Sequence, residues 1–106
     1  MNTKLKKLSE IVAKANDLFY SKFDHINTSM GIMDKTLRAQ GMKADAITID
    51  CISRDKKIVF LIHDDKPNLV SIALGNKAGD IYSSSEYELA GISEAVIVEI
   101  MEVNFT

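Results

Sequence analysis

Chemistry in this chain has to come from a short list of side chains. The sequence holds one cysteine and two histidines. Cys51, His63 and Asp64 lie close enough in sequence to suggest a thiol–imidazole pair, in which a base activates a sulfur nucleophile. Strand parity argues against it, because Cys51 and His63 alternate to opposite sides of any hairpin that contains both. Cys51 reads instead as a small hydrophobe in an apolar strand. His63-Asp64-Asp65, with Asp80, offers nitrogen and oxygen donors for a divalent cation, but the spacing matches no metal loop and Asp is favoured at turns for backbone reasons. His25 adds no zinc set. Gly75-Asn76-Lys77-Ala78-Gly79 resembles a phosphate loop only superficially, since Asp80-Ile81 follows where Lys-Ser/Thr and a helix are required. No metal and no cofactor are expected.

Thr48, Asp50 and His63 remain. They are the polar side chains expected together on rigid strands, on the face of a hairpin turned away from the core, and they are the candidate ligand- or partner-binding residues.

The elements that must position them follow from periodicity. Leu5, Leu8, Val12, Ala15, Phe19, Phe23, Ile26, Met30, Met33 and Leu37 keep helical phase over the first 37 residues, the signature of an amphipathic helix. Asn2 or Thr3 can cap it, and Gly41 closes the segment at a C′ position. Asp24-His25-Ile26-Asn27-Thr28-Ser29 are poor helix formers, so the region reads as one long or kinked helix or as a helical hairpin. Unbroken, it would run to nearly 60 Å at 1.5 Å per residue, too long for a domain of this size.

From Ala44 the period becomes two. Ile47, Ile49 and Cys51, then Ile58, Phe60 and Ile62, form the core face of an antiparallel hairpin, and a two-residue turn at Asp55-Lys56 would pair Cys51 with Phe60. Asp64–Asn68 turns the chain into a strand over 69–74 with Val70, Ile72 and Leu74 inward, and Ile81-Tyr82-Ser83 adds a short fourth strand. Ser83-x-x-Glu86 and Ser85-x-x-Glu88 both fit a capping box, followed by a C-terminal helix with Leu89, Ile92, Val96, Ile100 and Val103 on one side. Its β-branched content would also suit a strand. The fold class is α+β: an N-terminal helical segment, an antiparallel meander of three or four strands and a C-terminal helix, in one domain over 1–106.

Composition narrows the function classes. With 46% hydrophobic and 26% charged residues and a net charge of −2, the chain reads as an ordinary folded domain. Glu10, Lys14 and Asp17 interrupt any signal-peptide core, and the longest apolar run, Ile58–Ile62, is far too short to span a bilayer. No membrane association is expected, and the lone thiol fits the cytoplasm. Charge is two-sided, about +4 over residues 1–43 and about −6 over 44–106. The lysines spread around the first helix without forming a stripe, so nucleic acid is not the expected partner.

The function expected from these features is a non-catalytic cytoplasmic protein-binding module, an adaptor, regulator or chaperone-like domain. A homodimer is expected, with Phe19, Phe23, Ile26, Met30 and Met33 in the subunit contact, because ten apolar positions exceed the cover expected from one small sheet. The alternatives are a nucleic-acid-associated regulator using the basic N-terminal segment, or a small enzyme or ligand-binding domain using the Thr48, Asp50 and His63 face. If Cys51 is a core residue, Cys51→Ala will cost about 1 kcal/mol in chemical denaturation, as a small truncation does. A larger loss, or none, would contradict that role.

Overall fold

A computed structural model of the chain describes residues 3–106. It is α+β, with a five-stranded sheet. The elements are α1 (Thr3–Lys22), β1 (Ser29–Met33), α2 (Thr36–Ala39), β2 (Ala44–Cys51), β3 (Lys56–His63), β4 (Leu69–Gly75), β5 (Ile81–Glu88) and α3 (Glu94–Phe105). The strands lie in chain order, each antiparallel to the next. Any cap supplied by Asn2 lies outside the described residues.

Alternation decides which face is covered. Ile47, Ile49, Cys51, Ile58 and Phe60 are fully buried and Ile62 nearly so. Val70 and Ile72 continue this face across β4, with Leu74 packed against it. α1 lays Leu5, Leu8, Val12, Ala15 and Phe19 on the same core at helical spacing, and α3 packs alongside it. The Phe19 and Phe105 rings meet edge to face with centroids 6.0 Å apart, a favoured aromatic geometry. Lys22 and Glu102 form an ion pair at 2.5 Å beside them, so the basic and acidic segments meet within one chain.

The N-terminal helix is shorter than its apolar phase suggests. α1 stops at Lys22, the chain turns through Phe23–Ile26, and residues 29–33 form an edge strand instead of a second helix. The longest dimension of the molecule is 37 Å, which a helix through residue 40 would exceed. The four-residue step from Ile26 to Met30 is compatible with both periods, because it keeps one face of a strand as well as of a helix, whereas the three-residue step to Met33 keeps a helical face but crosses to the other side of a strand. Pairing with the exposed edge of β2 wins: Met30 sits opposite Ile49 and Met33 opposite Ala46. Only α2, four residues long, follows, and Gly41 stands one residue past its C-cap at φ +89°, as a C′ glycine does.

This removes the shortage of cover behind the expected subunit contact. Phe19 and Ile26 are enclosed by the chain's own core, at 0% and 2% exposure. Phe23 and Met30 pack half-buried against that core, while Met33 belongs to the other sheet face. The five residues therefore do not form one exposed stripe.

Two further expectations are corrected. Ser83 and Ser85 are not helix caps, since β5 runs through both as an eight-residue strand. The cap is Ser93, whose hydroxyl accepts the Val96 N–H. The buried stripe of α3 is Ile97, Met101 and Phe105, not Val96, Ile100 and Val103. Leu89 and Ile92 are buried, but they precede the helix. Both stripes of this helix are apolar, so only the direction of approach to the sheet selects one. Met101→Asp should thus unfold the chain at a cost of several kcal/mol, and Val103→Asp, at a position 77% exposed, should leave thermal stability nearly unchanged. Equal sensitivity at the two positions would refute this helix phase.

Candidate functional site

The β2–β3 register decides what the polar candidates can do together. Ile49 pairs with Ile58 and Cys51 with Lys56, four residues away from the register of a tight Asp55-Lys56 turn. The connection is longer because Ile52–Arg54 form a 3-10 turn, closed by Asp55 at φ +53°. Asp tolerates this left-handed conformation better than most residues. An even shift preserves every residue's face and changes only its neighbours.

Thr48 and Asp50 accordingly stay on the face opposite the helices, two positions apart on β2. His63 shares that face but lies opposite Ala44, about 13 Å along the strands from Thr48 at roughly 3.3 Å per residue. The three residues do not converge. Asp50 is engaged by Lys57, opposite it, at 3.5 Å. Cys51 is buried on the helix side, with the Ser53 hydroxyl 3.9 Å from its sulfur, and the sheet separates it from His63. Among the described residues no group of three His, Cys, Asp or Glu side chains is placed to hold a metal ion.

The arrangement that does emerge is apolar. Gly31, Thr48, Val59 and Ala73 form a row across the helix-free face, beside a second row of Met33, Ala46, Leu61 and Ser71. Most of these side chains are small. Larger ones rise at the two ends: Met33, Leu37 and Met42 at the α2 end, and Ile81 at the other, next to the turn between β4 and β5. They enclose a trough of about 320 Å³ with Ala46, Thr48, Val59 and Leu61 along its floor. Met42 and Ile81 are 44% and 55% exposed.

Both end walls are held in place. At the Ile81 end, Asn76 and Asp80 tie the turn through both backbone and side chains, and Lys77 N–H donates to the Asp55 carboxylate at 3.1 Å. Gly75 is required there, because a Cβ would lie 2.2 Å from the Asp80 carbonyl oxygen. At the α2 end, the Arg38 guanidinium donates to both oxygens of Asp45 at 2.9 Å and both oxygens of Asp64 at 2.8 Å. One cation thereby joins α2 to β2 and to the end of β3.

That double fork was not among the sequence candidates, although part of its signal is visible. Asp45 shares the inward parity of Ile47, Ile49 and Cys51, and a carboxylate in that position demands a cation. Which cation is a tertiary matter. The Arg38 hydrogen bonds to Asp64 and Asp45 hold the guanidinium ionised beyond its ordinary range. The Asp64 carboxyl is held below the usual carboxylate range by its hydrogen bond from Arg38, helped by the charges of Arg38, Lys43 and His63, with desolvation opposing.

Comparison with known protein families, with curated proteins and with solved structures finds no match. Among the described residues no helix is long and apolar enough to cross a membrane.

The fork makes a ranked prediction. Arg38→Ala removes the donor from both carboxylates, one of them buried, and should lower the melting temperature more than Asp64→Ala does. A folded-state pKa below the unfolded value stabilises above the unfolded pKa and loses that contribution as pH falls through the folded one. The stability gap between wild type and Asp64→Asn should therefore be full at neutral pH and close in acid. A gap independent of pH, or a reversed ranking, would count against the fork as the anchor of α2.

Proposed function

We propose that the chain is a non-catalytic binding module whose helix-free sheet face receives an amphipathic helix of a protein partner. The observation that carries this reading is the trough itself. A sheet face with an apolar floor normally packs against another layer, and among the described residues only the short α2 segment lies against this one, at one end. Small floor residues allow a helix ridge to approach closely, as helix-in-groove recognition requires. Met33 and Met42 provide adaptable walls.

Charge indicates the kind of helix. Glu86 and Glu88 of β5 stand on the same face and form no ion pair among the described residues, while Lys57 is matched by Asp50 and Arg38 serves two carboxylates. A partner with an apolar stripe flanked by Lys or Arg complements these acids, with charge directing approach and orientation more than affinity. Thr48 remains part of the proposed surface, as floor. Asp50 lies beside the trough, paired with Lys57 and lining a separate hollow with Ser29 and Ser53, and His63 lies beyond the trough.

A designed leucine–lysine amphipathic helix is the probe. Amide shifts in NMR should concentrate at Ala46, Thr48, Val59 and Ala73. Ala73→Arg, which lays a long side chain across the floor with its charge free to reach solvent, should weaken binding by about tenfold or more, equivalent to roughly 1.4 kcal/mol. A leucine–glutamate helix should bind more weakly than the lysine version. Shifts confined to the outer surface of α1 and α3, or full binding by folded Ala73→Arg, would overturn the reading.

A further inference from the structure

The far edge of the sheet carries a different surface, which does not depend on the trough. β5 pairs with β4 on one side and with no other strand among the described residues, so alternate N–H and C=O groups along eight residues point outward. Edges of this length are usually blunted by charged side chains, Lys above all, by Pro, by a bulge or by an overlying element; in β5 the bulge is confined to the start of the strand, opposite Leu74 and Gly75, and the acids Glu86 and Glu88 to its end, which leaves Ser83–Ser85 open. Ile81-Tyr82-Ser83-Ser84-Ser85-Glu86-Tyr87-Glu88 contains neither Lys nor Pro, and every one of these residues except Tyr87 is exposed. The opposite edge, β1, has only five residues. We propose that β5 pairs antiparallel with β5 of a second copy of this chain, joining two five-stranded sheets into one.

The sequence of β5 fits itself about a two-fold axis at Ser85. In that register Glu86 of one copy lies opposite Ser84 of the other, Tyr87 opposite Ser83, and Glu88 opposite Tyr82. No acid faces an acid. Moving the axis to Ser84 would set Glu88 against Asp80, and like charges directly opposite each other destabilise a ladder. The face assignments agree as well. Ser83 and Tyr87 both lie on the helix side, opposite Leu74 and Val70 of β4, while Ser84 and Glu86 both lie on the trough side, opposite Ala73 and Ser71.

Access is open. Ser83 and Ser85 are exposed although they stand on the helix side, so the helical layer ends before it reaches β5 and leaves room for a strand beside it. Three consecutive serines at the centre let the backbones close without displacing bulky side chains. Tyr82, 58% exposed with the Lys56 ammonium 4.8 Å from its ring centre, lies near the ends of the paired segment and gains a neighbour. A foreign strand could use the same hydrogen-bonding groups, but the placement of serines against glutamates specifies this strand as its own complement.

Light scattering over a concentration series, supported by two substitutions, tests the pairing. The wild-type mass should rise from one chain to two. Ser85→Lys brings two ammonium groups together on the axis and should remain monomeric with an unchanged circular dichroism spectrum. Ser85→Cys should cross-link under mild oxidation, since directly opposite Cβ atoms lie close to disulfide distance, whereas Ile52→Cys, at an exposed site away from β5, should not. The cysteine pair decides the matter if the lysine variant fails to fold. A wild-type chain that stays monomeric up to millimolar concentration, a dimer that survives in folded Ser85→Lys, or equal cross-linking at positions 52 and 85 would overturn the proposal.

Discussion

Burial of a single face of the β2–β3 ladder is the constraint on which the rest of the molecule depends. Ile47, Ile49 and Cys51 alternate with Thr48 and Asp50, and Ile58, Phe60 and Ile62 alternate with Val59, Leu61 and His63, so one surface must leave water. α1 and α3 complete that surface side by side, and their Phe19–Phe105 contact closes the layer. With two helices already on this side, the residues after Ile26 gain more by extending the ladder than by adding a third helix. β1 takes the open edge of β2 and brings Met30 to rest against Ile49.

The opposite face follows from the same alternation. Among the described residues only the short α2 reaches it, at one end, and its residues are neither uniformly polar nor bulky. Gly31, Ala46, Thr48 and Ala73 keep it low, whereas Met33, Leu37, Met42 and Ile81 stand above it at the ends. The two walls are fixed by polar interactions of different kinds. The Ile81 end uses a closed turn in which Asn76 and Asp80 satisfy each other. The α2 end relies on Arg38, because four helical residues cannot hold themselves in place by backbone bonds alone. A guanidinium suits this position where an ammonium would not, since its planar donors match two carboxylates at once.

Charge is divided along the chain in a way that the fold partly resolves. The basic first segment meets the acidic last one where Lys22 joins Glu102 between α1 and α3, and Lys4 bonds to Asn68 at the other end of α1. Glu86 and Glu88 of β5 stand on the same sheet face as the trough, to one side of it. Attraction within the chain accounts for part of the asymmetry, and the remainder gives the proposed docking face its preference for a basic partner.

The local sequence determined the fold class, the inward set of the central hairpin and the presence of a C-terminal helix, because each rests on a periodicity that a few neighbouring residues express. It also determined that Cys51 and His63 face opposite ways, since parity survives any even shift of register. Tertiary structure alone decided where α1 ends, because Met30 and Met33 satisfy a helical stripe and an edge strand equally well until β2 offers its open side. It decided the register as well: a 3-10 turn absorbed four residues, moved His63 away from Thr48 and dissolved the polar cluster that a tight turn would have formed. For α3, local pattern offered two apolar stripes, and the position of the sheet chose Ile97, Met101 and Phe105. Arg38 finding Asp45 and Asp64, and small residues from neighbouring strands lining up into one trough, depend on contacts between segments that are distant in the chain, which no local pattern encodes.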